Sequence, residues 1–342
     1  MRRTRTEVAV VGVGGAGVNA VSRLMDVGLG GVRFVAADTS VQTLARAAGA
    51  RQVVLGDDAG GLGTGGDARL GAAAALGAGK ALCAALAGAD VVFVVAGLAG
   101  GTGGGAAPEV ARLAGGLGAV TVGLGLWPFG FEAARRVASA ARAARGLAAA
   151  CDTTVRVEND RALAVAGGAV PLDVALRVAD DVVRQAVVGL TALVAQTGWI
   201  PLDMAVVRGV LADAGDGCLA LGLGRGEAPA CAAVAAALGS PLADMRALAR
   251  AETVLVQVTG GLDLGIADTA EAVAGLRARL GDRVELVVGV GLDPALVGVA
   301  QATLLGVGLA AQAAPNRAPL AWPGPPAQAG RAAVEAPIRE VV

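Results

Sequence analysis

The chain has 342 residues, a formal net charge of −1, 55% hydrophobic and 2% aromatic residues, and no His. The absence of His excludes a Ser-His-Asp triad, a Cys-His pair and an imidazole metal site. The near-neutral charge and the scarcity of aromatic rings argue against nucleic-acid binding, which relies on cationic surfaces and stacking platforms.

The first half of the chain alternates short Val-rich runs with Ala-rich segments of helical character. Strands are predicted at 7–13, 32–37, 90–96 and 119–126, and helices at 18–27, 68–87 and 107–117. Continuous apolar strands separated by helices predict a parallel sheet that is covered on both faces. Right-handed crossovers place the turns from strand to helix at one edge of such a sheet, where α/β proteins bind ligands.

The second half begins with a long amphipathic helix predicted over 171–196 and continues as a mixture of elements. Helices are predicted at 203–214 and 230–238, and strands at 219–224, 253–259, 284–290 and 302–309. The predicted fold class is therefore α/β, with a Rossmann-like parallel-sheet domain followed by a smaller C-terminal α+β domain. The boundaries are 1–170 for the first domain, 171–197 for the central helix, 198–311 for the second domain and 312–342 for an Ala/Pro-rich tail that has little apolar surface to bury.

Two uncharged stretches, 113–131 and 294–316, are long enough to be tested as membrane spans. Several Gly and one Pro interrupt the first stretch, and Gln301 and Gln312 lie within the Val-rich second stretch. Both fit buried strands with flanking loops better than transmembrane helices, so no direct membrane insertion is predicted. The four Cys lie far apart without a CxxC pair, which indicates reduced thiols in a cytoplasmic protein.

The first glycine-rich turn, GVGGAGVN at 12–19, follows a strand and opens a helix. Glycine permits a tight turn and lets backbone N–H groups approach a phosphate without a Cβ in the way. The same pattern fits a nicotinamide or flavin dinucleotide fold, which expects an acidic residue about twenty positions further on, near where Asp38 stands. Close packing of a strand on a helix is a third interpretation. This turn alone leaves the three open.

Two further glycine clusters decide between these interpretations. AGLAGGTGGGAAP at 96–108 again joins a strand to a helix, and GGLGTGGD lies at 60–67. A dinucleotide fold does not require a second long glycine loop. Three glycine loops at one sheet edge suit a ligand with several consecutive phosphates, held by backbone N–H groups and helix N-termini. No GxxxxGK[ST] motif is present, so the site is not a P-loop.

The stretch GLAGGTGGGAAP at 97–108, preceded by VVFVV, resembles the tubulin/FtsZ signature, with Ala99 in place of its second Gly. Seven more segments resemble FtsZ in the same order. They are GVGGAGVNAV (12–21), ADTSVQTL (37–44), LGTGGDARLG (62–71), PFGFEAARR (128–136), ENDRAL (158–163), ADDVVRQAV (179–187) and TGGLDL (259–264). The resemblance covers roughly residues 8–310 and is too extensive for chance.

This resemblance implies a GTP-binding, polymer-forming protein of bacterial cell division that binds GTP or GDP, with Mg²⁺ as a candidate cofactor. The implied partners are further copies of itself, joined head to tail, and another FtsZ. Nine residues of the glycine turns are implied to contact the nucleotide: Gly14, Gly15, Ala16, Asn19, Gly100, Gly101, Thr102, Gly103 and Gly104.

The resemblance also assigns four side chains beyond the glycine turns. Glu132 is implied to accept hydrogen bonds from the ribose, and Arg136 to lie near the phosphates or the ribose. Asn159 and Asp181 are implied to read guanine, whose two adjacent donors match a carboxylate. Taken without the family, the pattern around Asp181 favours a solvated helix face.

The sequence departs from the family in the loop after the central helix. In FtsZ that loop, resembling GxxNxDFADV, completes the hydrolytic site of the next subunit, and its acidic residues polarise the attacking water. Here it reads GWIPLDMAVV at 198–207, so Asp203 keeps the first acidic position and is the candidate catalytic residue. Pro201 replaces the Asn and Val206 replaces the second Asp. Valine neither accepts a proton nor orients water, which predicts weakened hydrolysis.

Smaller departures lie elsewhere in the site. Gly104 replaces a usual Thr, Asp38 and Ser40 replace the usual Asn and Asp of the second loop, and Leu176 replaces an aromatic residue that packs on the base. Two alternatives to the weakened, FtsZ-like protein stay open. One is a fully active division GTPase that uses Asp203, and the other is an NAD-type oxidoreductase that uses the first glycine loop and Asp38.

Overall fold

The computed structural model describes residues 6–56, 61, 63–161, 171–194, 199–200, 202–240 and 243–309. The predicted tail at 312–342 and the replacement at Pro201 lie outside the described residues. The side chains of Leu176 and of a few other positions in the long helix are likewise not described.

The N-terminal half forms six parallel strands with helices on both faces. The strands are β1 (Val8–Val13), β2 (Val32–Asp38), β3 (Arg51–Val54), β4 (Val91–Gly97), β5 (Val120–Trp127) and β6 (Thr153–Glu158). The helices are α1 (Gly14–Val27), α2 (Val41–Leu44), α3 (Ala68–Gly77), α4 (Gly79–Leu86), α5 (Gly101–Gly116) and α6 (Ala134–Ala148). The strands are ordered β3-β2-β1-β4-β5-β6, which is the doubly wound arrangement that the alternating sequence predicted.

The C-terminal half extends the same sheet with strands of mixed direction. Its elements are α7 (Leu172–Val194), α8 (Met204–Leu211), β7 (Gly215–Arg225), α9 (Pro229–Gly239), α10 (Met245–Leu248), β8 (Thr253–Gly260), α11 (Ile266–Leu280), β9 (Glu285–Leu292) and β10 (Val299–Val307). β7 pairs parallel with β6 and antiparallel with β10, and the sheet ends β7-β10-β8-β9. The predicted mixture of helices and strands is confirmed, although the ten strands found in the described part of the chain all belong to one sheet.

Burial on both faces explains why the first strands read as unbroken apolar runs. In β1, Val8 and Val10 pack into one core cluster, and Ala9, Val11 and Val13 pack into another on the opposite face. Leu190 of α7 and Leu24 of α1 belong to the first cluster. A strand that is covered on both sides has no exposed face, so its sequence loses the apolar-polar alternation.

Several predicted boundaries were wrong, and glycine explains most of them. The helix predicted at 68–87 is two helices, α3 and α4, bent by 70° where Gly77 and Gly79 flank Ala78. α1 begins at Gly14 rather than at 18, and α5 begins at Gly101 rather than at 107. Glycine disfavours a helix interior, so the pattern assigned these residues to loops. The helix predicted at 203–214 ends at Leu211.

Gly105 shows that part of the glycine content serves packing alone. A Cβ at Gly105 of α5 would lie 1.9 Å from the carbonyl oxygen of Ala68 at the start of α3. We expect Gly105→Ala to lower the free energy of unfolding by about 2 kcal/mol, because the backbones of two packed helices would have to separate. Urea unfolding of the purified variant measures this change.

Gly115→Ala is the matched control for that measurement, since Gly115 lies in the same helix. Its added Cβ would meet nothing closer than the Cγ2 of Thr121 at 4.0 Å. The control should unfold at the wild-type urea concentration or slightly above it. Equal midpoints for both variants would contradict the assigned close contact.

Among the described residues, no single helix is long and apolar enough to cross a membrane. The bent pair α3 and α4 passes that test jointly, by length and composition alone.

Candidate functional site

A cavity of about 770 Å³ lies where β1, β4 and β5 end and the following turns begin. Its volume falls in the range of about 300–1,000 Å³ that is typical of ligand sites. Eleven of the thirteen predicted nucleotide contacts line it: Gly14, Gly15, Ala16, Asn19, Gly100, Gly101, Thr102, Gly103, Glu132, Arg136 and Asn159. The predicted contacts therefore lie at one cavity, although some are more than 140 positions apart in the chain.

Two helices begin at this cavity with their N-terminal N–H groups uncapped by side chains. The N-cap residues are Val13 for α1 and Gly100 for α5, and neither makes a side-chain capping hydrogen bond. The first turn of each of these two helices contains no acidic residue. The first N–H groups of a helix have no partner within the helix and carry the positive end of its dipole. Two such ends facing one cavity suit a ligand with phosphate groups.

The cavity glycines divide into those that the protein's own packing requires and those that it does not. Gly14 has φ +72°, and a Cβ there would lie 2.6 Å from the backbone nitrogen of Gly103, so Gly14 brings α1 close to α5. At Gly15 the nearest atom to an added Cβ is the Cγ2 of Thr43 at 4.0 Å. At Gly100 it is the carbonyl oxygen of Gly97 at 3.7 Å. Gly15 and Gly100 therefore leave open space on the cavity side.

Glu132 and Arg136 form an ion pair at the cavity wall, with Arg136 in the first turn of α6 and Glu132 just before that helix. Arg136 Nε donates to Glu132 Oε2, and the backbone nitrogen of Phe129 donates to Glu132 Oε1 at 2.9 Å. The sequence predicted these two side chains as separate ligand contacts. In the structure the carboxylate is already held by the guanidinium, so a ribose hydroxyl would donate to the remaining lone pairs of Glu132.

Two phenylalanines and a second arginine also line the cavity and were not predicted individually. The rings of Phe129 and Phe131 stack with centroids 5.0 Å apart, and Phe131 is 68% exposed. Arg23 of α1 also lines the cavity. The sequence could have indicated Arg23, because it lies four residues after Asn19 and therefore on the same face of α1.

Gly104 and Asp181 do not line the cavity. Gly104 is buried, and a Cβ there would lie 2.7 Å from the carbonyl oxygen of Leu98, so this glycine packs α5 against the preceding turn. The Asp181 carboxylate accepts hydrogen bonds from Arg184 Nε and Gln185 Nε2, both at 2.6 Å. Its neighbour Val183 does line the cavity. Asp181 is therefore held by side chains of its own helix, and its contact with guanine stays a prediction.

Asp203 and Val206 lie at the start of α8, outside the cavity of their own chain. The Asp203 side chain caps the helix by accepting from the backbone nitrogen of Ala205 at 2.8 Å. Val206 stands on the first turn and is 43% exposed. Both residues are accessible from solvent, and neither contributes to the cavity lining.

Asp38 ends β2 and is only 4% exposed. Burial raises the pKa of this carboxyl group, and hydrogen bonds from Ser40 and Thr39 partly offset that increase. Asp38 Oδ1 accepts from the backbone nitrogen of Ser40 at 3.1 Å, and the residue does not line the cavity. The oxidoreductase interpretation requires an acidic side chain that reaches the ligand. Asp38 does not line the cavity, so it does not provide that side chain.

Within the described residues, no group of three or more His, Cys, Asp or Glu side chains could hold a metal ion. A divalent cation in this cavity would therefore take its ligands chiefly from bound phosphates, water and single side-chain oxygens of the lining. Thr102 and Thr64 are the two hydroxyl residues that line the described cavity. Oxygen ligands of this kind suit Mg²⁺, which commonly keeps several waters and bridges phosphates.

The fold and the cavity together define a phosphate-binding α/β protein. A family model described as "Tubulin/FtsZ family, GTPase domain" matches residues 7–167, and one described as "FtsZ family, C-terminal domain" matches residues 215–310. The chain therefore belongs to the tubulin/FtsZ family of GTPases and is an FtsZ-like member of it.

Known proteins place the chain in the same family. It is 36% identical over 297 residues to "Cell division protein FtsZ 1" of Pyrococcus abyssi, covering 86% of this chain and 79% of that protein. An FtsZ of M. jannaschii, solved as an empty dimer, superposes with a TM-score of 0.84 at 34% identity, covering 90% of this chain and 89% of that one. CetZ2 of Haloferax volcanii shares the fold, with a TM-score of 0.71 at 24% identity, covering 88% of this chain and 93% of that one. These relatives are archaeal, so a bacterial role remains a prediction.

Proposed function

We propose that this chain binds GTP or GDP in the cavity, joins head to tail with further copies in the cytoplasm during cell division, and hydrolyses GTP slowly. The observation that carries the proposal is the convergence of two uncapped helix N-termini on a cavity of about 770 Å³. The nucleotide-binding unit is 1–170, and the central helix connects it to the unit at 198–311.

The chain's own groups have separable tasks in this proposal. The backbone N–H groups at the starts of α1 and α5 bind phosphate oxygens. Glu132 accepts from the ribose while Arg136 balances its charge. Asn159 and Asp181 select guanine, and the Asp181 oxygens accept from the base with the lone pairs that their bonds to Arg184 and Gln185 leave available. A bound Mg²⁺ would neutralise charge on the phosphates, and the hydroxyl groups of Thr102 and Thr64 in the lining would be available to hold it.

The placement of Asp203 supports assembly between copies. Asp203 and Val206 lie outside their own chain's cavity, so the candidate catalytic residue can act only on a nucleotide in another copy. Trp199 and Ile200, just before α8, are each 51% exposed, and Phe131 at the cavity is 68% exposed. Trp199 and Ile200 are adjacent, and contiguous exposed apolar surface is a feature of association surfaces. The M. jannaschii relative was solved as a dimer, which accords with this proposal.

Slow hydrolysis follows from the apolar residue at Val206. In phosphoryl transfer most of the acceleration comes from positioning and electrostatics. A loop with Asp203 alone has one carboxylate to orient the attacking water, and in this structure that carboxylate caps its own helix. The alternative, a fully active GTPase that relies on Asp203, makes the opposite prediction for turnover.

The decisive experiment identifies the nucleotide that copurifies with the protein and then measures phosphate release against protein concentration. We expect guanine nucleotide and assembly into sedimentable filaments with GTP. Turnover should stay below about one per minute per chain even above the assembly threshold, roughly one sixtieth of the low end of ordinary enzyme rates. Bound NAD or the absence of any guanine nucleotide would overturn the proposal. Fast turnover with a concentration threshold would instead establish the fully active alternative.

A further inference from the structure

Helices α3, α4, α5 and α6 form one cationic layer over a face of the parallel sheet. Their buried residues belong to a single core cluster, on the opposite side of the sheet from α1, α7 and α8. Within their bounds these four helices carry seven basic residues and one acidic residue, Glu109. The whole chain has 28 basic and 29 acidic residues, so the excess of positive charge is local to this layer.

Most of this charge has no acidic partner. Three of the seven basic residues form ion pairs with carboxylates, namely Arg69 with Asp67, Arg112 with Glu109 and Arg136 with Glu132. The other four form no ion pair with any residue that the structure describes, and all four are exposed: Lys80, Arg135, Arg142 and Arg145. Like charges gathered on one face create a positive potential there, although the net charge of the chain is −1.

α6 presents its arginines on the side that faces solvent. Its buried residues are Ala140, Ala143 and Leu147, which lie on one side of the helix. At 3.6 residues per turn, Arg142 and Arg145 lie on the opposite half. The helix contains no acidic residue. α6 therefore has a small apolar inner side and a cationic outer side.

α3 adds exposed apolar side chains to the same layer. Leu70 is 57% exposed and Leu76 is 63% exposed, and Ala73 between them is exposed as well. Arg69 precedes the first leucine, and Lys80 follows the second by four residues. Helices that lie on a membrane combine these two features, because cations attract anionic head groups while apolar side chains enter the boundary of the acyl chains.

A second copy of the chain and a nucleic acid fit this layer less well. A second copy would need an acidic face, but the most highly charged helices of the C-terminal half, α7 and α11, carry residues of both signs. Single-stranded nucleic acids stack on aromatic rings, and α3 to α6 contain no aromatic residue. Exposed leucines beside the cations favour a lipid surface.

We propose that the layer of α3 to α6 docks on an anionic lipid surface, with Arg142 and Arg145 binding head groups and Leu70 and Leu76 entering the interface. α8 packs on the other face of the sheet, and the cavity lies at the carboxyl ends of β1, β4 and β5. This docking requires neither a bound nucleotide nor assembly, and it inserts no helix across the membrane.

The test is cosedimentation of the full chain, without added nucleotide, with vesicles of phosphatidylcholine that contain about 40% phosphatidylserine. In about 0.1 M salt we expect the affinity to be at least about tenfold higher than for vesicles of phosphatidylcholine alone. Raising the salt to about 0.5 M should abolish most of that difference, because exposed charges are then strongly screened.

The double variant Arg142→Gln/Arg145→Gln should lower the affinity for the anionic vesicles about 25-fold, since each basic residue near such a surface contributes about fivefold. Arg277→Gln/Arg279→Gln in α11 is the matched control. It removes the same charge from another exposed helix, and its affinity should stay near that of the wild type. Thermal unfolding verifies that both variants are folded.

Leu70→Ser/Leu76→Ser separates a lipid surface from a general binder of polyanions. For a lipid surface, this variant should lose at least about threefold in vesicle affinity and retain all its basic residues. Unchanged vesicle affinity in this variant, together with equally tight binding of duplex DNA by the wild type, would overturn the assignment to lipid.

Two further outcomes would also overturn the inference. Equal losses in the α6 and α11 variants would show that only the net charge matters. Wild-type binding by Arg142→Gln/Arg145→Gln would place the contact elsewhere, with the basic start of the chain at Arg2, Arg3 and Arg5 as the alternative. The affinity for GTP, measured on the same samples, tests the proposed function separately, because Arg142 and Arg145 do not line the cavity.

Discussion

Val206→Asp should raise GTP turnover by roughly 100-fold at protein concentrations that permit assembly, the low end of what a positioned acid-base group contributes. The substitution restores a carboxylate to the exposed first turn of α8, three residues after Asp203. A second carboxylate would orient the attacking water while Asp203 continues to cap the helix. Phosphate release at several protein concentrations measures the effect.

The substitution should leave the stability of the protein intact. Val206 is 43% exposed, so its replacement removes little buried apolar surface. An acidic residue in the first turn interacts favourably with the positive end of the helix dipole, typically by about 0.3–1 kcal/mol. Any change in turnover would therefore report on the site rather than on the fraction of folded protein.

Ala205→Asp is the matched control for charge on this turn. Ala205 is exposed and adjacent, but its side chain points about 100° away around the helix from that of Val206. It should leave turnover near the wild-type rate, and Val206→Asn should give at most a small increase because an amide cannot take up a proton. If Val206→Asp assembles and binds GTP normally but turns over no faster, the slow hydrolysis has another cause.

The alternating pattern predicted the fold class, and the motifs predicted eleven of the residues that line the cavity, because both are read from local sequence. A strand followed by a glycine turn and a helix places the turn at the carboxyl edge of a parallel sheet, whatever the rest of the chain does. Gly14, Gly100 and Glu132 meet for that reason.

Side-chain partners could not be predicted in the same way. Two ion pairs depend on side-chain rotamers, which the sequence pattern does not encode. They join Glu132 to Arg136 and Asp181 to Arg184. The neighbours of Asp181 alone favoured a solvated helix face, and the structure pairs its carboxylate with Arg184 and Gln185 on that helix. The sequence assigned Gly104 to the nucleotide together with its neighbours, and the structure shows that close approach to Leu98 requires a glycine there, which the pattern does not encode.

Gly15→Ala should weaken GTP binding by at least about tenfold while making the nucleotide-free protein more stable. Gly15 lines the cavity at the N-terminal turn of α1, and it is exposed in the absence of a ligand. An added Cβ meets no protein atom closer than 4.0 Å, so the substitution creates no clash within the chain. The methyl group instead occupies the space beside the helix N–H groups, where phosphate oxygens must approach within hydrogen-bond distance.

Gly15→Ala is expected to weaken GTP binding and to raise stability, and this combination distinguishes a lost ligand contact from a damaged fold. Replacing a helical glycine by alanine stabilises a helix by about 0.5–1 kcal/mol when the conformation is compatible. Gly275→Ala in α11 is the control, since a Cβ there meets nothing within 4 Å and the residue lies far along the chain from the cavity. It should give a similar gain in urea midpoint and leave the Kd for GTP unchanged. If Gly15→Ala binds GTP with wild-type affinity, phosphates do not contact the start of α1. Phosphate contact would then not be the reason for a glycine at position 15.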